Sequence, residues 1–92
     1  SDRERALAPI IYQSLLNIQD NADSREPRLL IEESLEMLRA GGLKPEYLDV
    51  VDARTLQPVE TINSAPAIAV CAAWLGQVRL IDNLPLQKEL NT

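Results

Sequence analysis

The sequence predicts an α+β domain: two N-terminal helices packed on a three-stranded antiparallel sheet. Three observations carry that prediction. Apolar residues recur with a period near 3.6 as far as Leu38, the texture turns strand-like after Gly42, and Gly76-Gln77 separates two apolar runs with the spacing of a tight hairpin. Ninety-two residues are enough for one such domain and one modest core, burying a little over about 60% of the extended surface.

The first helix is read from Leu7, Ile10, Ile11, Leu15 and Ile18, which line up on one side at helical spacing. Ser1 and Glu4 before it have the Ser-x-x-Glu spacing of a capping box, so a cut at a domain boundary is expected there. Pro9 deletes a backbone hydrogen bond and predicts a bend or a fresh start of the helix. The polar run from Gln19 to Ser24 reads as a loop. A second helix follows, capped by Asp23 or Ser24, with Glu26 and Pro27 in its first turn. Leu30, Ile31, Ser34, Leu35, Met37 and Leu38 form its inner side; Arg28, Glu32, Glu33, Glu36 and Arg39 form its wet side. Gly41-Gly42 ends it and Pro45 prevents resumption.

Tyr47 to Asp52 reads as the first strand, with a bulge where the alternation slips at Val50-Val51. Ala53 to Pro66 reads as a loop with a strand-like patch at Val59 to Ile62. Ala67 to Leu75 and Val78 to Leu84 form a hairpin through a type II′ turn, and Gln87 to Thr92 form a frayed tail. The turn fixes the register: Leu75 faces Val78, Trp74 Arg79, Ala73 Leu80, Ala72 Ile81 and Cys71 Asp82. One face then carries Ala69, Cys71, Ala73 and Leu75 with Leu80 and Leu84, small enough for the helices to approach closely. The other carries Ile68, Val70 and Trp74 with Arg79, Ile81 and Asn83. That face is too apolar to stand in water, and a neighbouring domain would cover it. If it is covered, Trp74→Ala should cost about 3–5 kcal/mol.

Composition narrows the chemistry. A net charge of −5 disfavours binding driven by nucleic-acid phosphates, and no run reaches the roughly 18 apolar residues of a membrane helix. A single cysteine cannot form an internal disulfide, and no charged-then-apolar leader is expected, so the reading is cytoplasmic. With no histidine, the usual general base and every His-dependent triad are absent from this chain. Arg79, Asp82 and Asn83 are the polar cluster of the apolar C-terminal half. A substrate-contacting triple is one reading; ion pairing, backbone capping or a domain interface is the favoured one, since alternation puts Arg79 and Asp82 on opposite faces. Trp74 is expected to pack under the Arg79 stem rather than stack on a base. Cys71 reads as a buried hydrophobe, and Glu32, Glu33 and Glu36 as solvated surface. No catalytic, cofactor-binding or metal-ligating residue emerges from the pattern.

Ala72-Ala73-Trp74-Leu75-Gly76 followed by Arg79-Leu80-Ile81-Asp82-Asn83 resembles the C-terminal signature of the pantothenate synthetase (pantoate–β-alanine ligase) family. Glu4-Arg5 with Ala8 and Tyr12, and Tyr47 to Asp52 with Thr55-Leu56, are similar to other family segments in order and spacing. The resemblance covers Ser1 to about Leu86. It implies that residues 1–86 are the C-terminal lid domain of an enzyme that joins pantoate to β-alanine through a pantoyl-adenylate. ATP and magnesium would serve that parent enzyme, with no cofactor held by this portion. The family's paired histidines and its Ser-Ser-Arg-Asn motif are missing here, so no catalytic residue carries over. The implied partner is an N-terminal Rossmann-like domain of the same polypeptide, with the hinge near Ser1 to Glu4; neither a nucleic acid nor a membrane is implied. Lids act by excluding water and completing a cleft, which suits a domain without titrating histidines.

Two other readings stand beside it. One is a standalone module that self-associates through the Trp74 face. The other, ranked last, is a complete small enzyme using Asp and Arg groups.

Overall fold

Two helices lie over one face of a three-stranded sheet in the computed structural model, which describes the backbone of residues 2–59 and 66–86 and the side chains from residue 9 onward within those spans. The elements are α1 (Asp2–Asn21), α2 (Pro27–Ala40), β1 (Lys44–Asp52), β2 (Ala67–Leu75) and β3 (Val78–Pro85). The sheet is antiparallel throughout, in the order β1-β2-β3. The Ser1 and Glu4 capping box, the side chain of Leu7, the later part of the patch to Ile62 and the tail from Gln87 lie outside the described residues.

Helix α1 runs unbroken through Pro9 and on to Asn21, so the expected fresh start does not occur and the helix outlasts the predicted loop onset at Gln19. A single proline removes one rung, and the ladder on either side carries the helix past it. At the far end Asn21 Nδ2 donates back to the Asn17 carbonyl (2.8 Å), and the Ser24 and Arg25 amides both donate to the Asn21 carbonyl (3.1 Å each). That extra turn occupies the residues expected to cap α2. The N-cap is Glu26, without a side-chain cap bond, and Pro27 opens the helix. Ser24 Oγ instead donates back to the Asn21 carbonyl.

The exit from α2 follows the glycine pair closely. The Gly42 amide donates to the Arg39 carbonyl and the Leu43 amide to the Leu38 carbonyl, each at 3.0 Å, with Gly42 at φ +90°. This is a Schellman motif, and the accompanying apolar contact is supplied by Leu38 and Leu43, both buried in the core. Gly41 answers a different need: a Cβ there would sit 2.6 Å from Ile10 Cδ1, so α1 approaches the end of α2 across bare backbone.

The hairpin has the expected register at all five predicted pairs, from Leu75↔Val78 to Cys71↔Asp82. Gly76 takes φ +59°, the positive first position that a type II′ turn requires. Ala69, Cys71 and Ala73 are fully buried beneath the helices, with Ile11, Leu15, Ile18, Leu30 and Leu38 above them. Two buried serines mark the helix–helix seam. Ser34 Oγ donates to the Ser14 carbonyl and Ser14 Oγ to the Ile11 carbonyl, each at 2.7 Å, so neither hydroxyl is left unpaired.

The bulge lies elsewhere than the sequence suggested. Val50 and Val51 pair regularly with Ala69 and Ile68, and the register slips between Pro45 and Tyr47, leaving Glu46 as the extra residue. Val50 and Val51 are both buried, Val50 under the helices and Val51 between Ile68 of β2 and the returning chain, which bridges to it edge-on at Pro58. Two adjacent apolar residues therefore need no distortion.

Candidate functional site

Strand alternation places Tyr47, Asp49 and Val51 of β1, Ile68, Val70, Ala72 and Trp74 of β2, and Arg79, Ile81 and Asn83 of β3 on the face turned away from the helices. Among the described residues no second layer covers that face. Ile81 is 59% exposed and Tyr47 41%, while Ala72 between them is fully buried by its own neighbours.

The bulge determines the chemistry at one end of this face. Regular alternation from Leu48 would turn Glu46 toward the helices; the extra residue re-aims it outward, toward Trp74 and Arg79. Glu46 Oε1 accepts the Trp74 indole N–H at 2.8 Å and Arg79 Nε–H at 3.2 Å, and Oε2 accepts Arg79 Nη2–H at 2.7 Å. The guanidinium thus grips the carboxylate with two parallel bonds while its carbon lies 6.0 Å from the Tyr47 ring centre. The Arg79 contact, and then the indole bond, hold the Glu46 carboxyl below the usual carboxylate range against a smaller opposing effect of burial. The same contact raises Arg79 further above neutrality. Four side chains from three strands form one network, able to bind or orient a partner surface.

The four residues singled out from sequence do not form one cluster. Trp74 and Arg79 are cross-strand partners and share Glu46. Asn83 lies on the same face but four residues along β3, about 13 Å away. Asp82 is on the helix side opposite Cys71, and its Oδ1 accepts the Asn83 amide at 2.8 Å. Burial, and then the charge of Asp82, push the Cys71 thiol up to about 11, so it stays protonated at neutral pH. Glu33 pairs with Arg25 at 2.7 Å and Glu36 with Arg39 at 2.6 Å on the exposed side of α2, as solvated charges do.

Sequence reasoning misses Glu46. It starts the strand at Tyr47, whereas β1 begins at Lys44, and it reads Pro45 only as a helix stop. The available signal is an acidic residue directly before the only strand able to reach Trp74 from the other side.

Comparison with known proteins agrees with this architecture. The profile of the family described as Pantoate-beta-alanine ligase matches residues 1–85. The pantothenate synthetase of Stutzerimonas stutzeri strain A1501 is 47% identical over 83 residues, which cover 88% of this chain and 29% of that protein. That of Pseudomonas fluorescens strain Pf0-1 is 40% identical over 88 residues, covering 94% of this chain and 30% of that protein. Among solved structures, the pantothenate synthetase of Thermus thermophilus superposes with a TM-score of 0.82 at 30% identity, over 96% of this chain and 32% of that one. The chain therefore spans under a third of the length of these relatives.

Proposed function

Since the chain belongs to the pantoate–β-alanine ligase family, we propose that residues 1–86 act as the C-terminal lid domain of an enzyme that makes pantothenate from pantoate, β-alanine and ATP. In that reaction the pantoate carboxylate is first joined to AMP with release of pyrophosphate, and the β-alanine amine then displaces AMP. The chemistry would be carried by an N-terminal domain of the same polypeptide, working in the cytoplasm. The observation that carries this reading is the sheet's outer face, apolar at Tyr47 and Ile81, held rigid at Trp74, and open among the described residues. A lid needs such a face to complete a cleft and exclude water.

Magnesium would accompany ATP in the whole enzyme. Among the described residues no group of three or more His, Cys, Asp or Glu side chains is placed to hold a metal. The role assigned to these residues is shape and closure. The test is complementation: the chain alone, given ATP, pantoate and β-alanine, should release no AMP, and adding the N-terminal portion of a relative in trans should restore release. Turnover by the chain alone would overturn the reading, as would failure of the added portion to bind it.

A further inference from the structure

A three-stranded sheet has two edges, and both carry the same small device. In β3 the register closed by Leu75↔Val78 turns the backbone groups of Leu80, Asp82 and Leu84 toward β2 and those of Arg79, Ile81, Asn83 and Pro85 outward. The bond from the Leu86 amide to the Ala67 carbonyl, 2.9 Å, continues that phase. An outward row of this kind is a template for an added strand. Here every amide of its C-terminal half is already accounted for, and so is the last carbonyl. Asp82 Oδ1 takes the Asn83 amide at 2.8 Å, Pro85 has no amide, and Gln19 Nε2 donates to the Pro85 carbonyl at 2.8 Å.

On β1 the outward positions include Val50 and Asp52. Asp49 Oδ1 takes the Val50 amide at 2.8 Å, the Val50 carbonyl accepts the Val59 amide at 3.1 Å, and the Asp52 amide donates to the Gln57 carbonyl at 2.8 Å. Each edge thus has an aspartate folding its side chain onto the outward amide of the next residue. The edges differ in reinforcement: the chain from Gln57 to Val59 also lies along β1, whereas on β3 both backbone groups of Arg79 and Ile81 and the carbonyl of Asn83 stay open outward among the described residues.

We propose that Asp82 is an edge guard, occupying the Asn83 amide so that β3 cannot extend its ladder to a strand of another chain. With the guard in place, the last outward amide open to a partner is that of Ile81, and the run is too short to hold a strand. Without it, the open run extends through the Asn83 amide, beside the exposed Ile81 side chain.

The experiment compares D82A, D82N and the double variant D82A/N83P with the parent chain by sedimentation over a range of concentrations, with thioflavin T fluorescence alongside and circular dichroism to confirm folding. D82N keeps an acceptor oxygen over the Asn83 amide and loses the charge, so it should remain as monomeric as the parent. D82A should shift to higher mass as concentration rises and gain thioflavin T signal. D82A/N83P, which has no amide to offer at that position, should return to the parent's mass. A monomeric D82A would overturn the proposal. So would a D82N that associates like D82A, since charge repulsion and not the hydrogen bond would then be the barrier, or a double variant that stays associated.

Discussion

Glu46 and Arg79 meet across the whole width of the sheet. They belong to β1 and β3, two strand spacings or about 9–10 Å apart, and their bidentate contact passes over β2 beside the Trp74 indole. An ion pair between neighbouring strands only reinforces a ladder that exists already. One that skips a strand ties the two outer strands to each other.

The first prediction follows from the direction in which Arg79 and Trp74 move the Glu46 carboxyl. Its folded pKa lies below its unfolded one, about 4.3, so the stabilisation is present above that value and lost as pH falls through the folded pKa. Glu46→Gln should therefore be less stable than the parent at pH 7, and the gap should close as the solution is taken toward pH 3. Added salt should narrow it too, since both side chains are partly exposed. Urea unfolding at several pH values checks both; a gap that is constant with pH would refute the assignment.

Gly42→Ala should destabilise the chain by about 1–2 kcal/mol, because φ +90° is a region where a Cβ meets the backbone itself. Open space surrounds the position, so the cost is conformational and not a clash. Thermal denaturation should register it as a drop of roughly 4–8 °C per kcal/mol.

Leu56 makes the opposite case. It takes φ +62° while 67% exposed, so its side chain gains little from burial and its backbone sits where leucine is unfavourable. Leu56→Asn should stabilise by up to about 1 kcal/mol, seen as a higher melting temperature. No change would mean the loop relaxes around leucine without cost.

Ala69→Leu tests the close seat of the helices. The alanine is fully buried under them, and the three added carbons have to displace packed side chains, at about 1–3 kcal/mol. A stability equal to the parent's would reveal slack between the layers.

These elements are unequally legible in the sequence. The hairpin can be read to the residue because Gly76-Gln77 fixes a two-residue turn and parity does the rest, which also separates Arg79 from Asp82. The end of α2 is legible for a similar reason: paired glycines leave little choice. The start of α2 is not, because Asp23 and Ser24 suit a cap and a turn equally well, and the turn closed on the Asn21 carbonyl takes them. Two valines break the alternation and so suggest a bulge between them, yet both pair in regular register and both are buried. The bulge forms instead at Glu46, where two hydrogen-bonding partners on other strands compensate the lost pairing. Those partners lie 28 and 33 residues away, beyond the reach of any local pattern.

The short passage from α2 into β1 has a mechanical meaning. Leu43 is bonded back to Leu38, and the very next residue, Lys44, already pairs with Trp74. Only Gly41, Gly42 and Leu43 separate helix from strand, and all three amides are bonded back to the last turns of α2, so torque applied at the indole end of the sheet has a short, bonded route into the helix. Pressure on Trp74 should therefore be felt by strand and helix together.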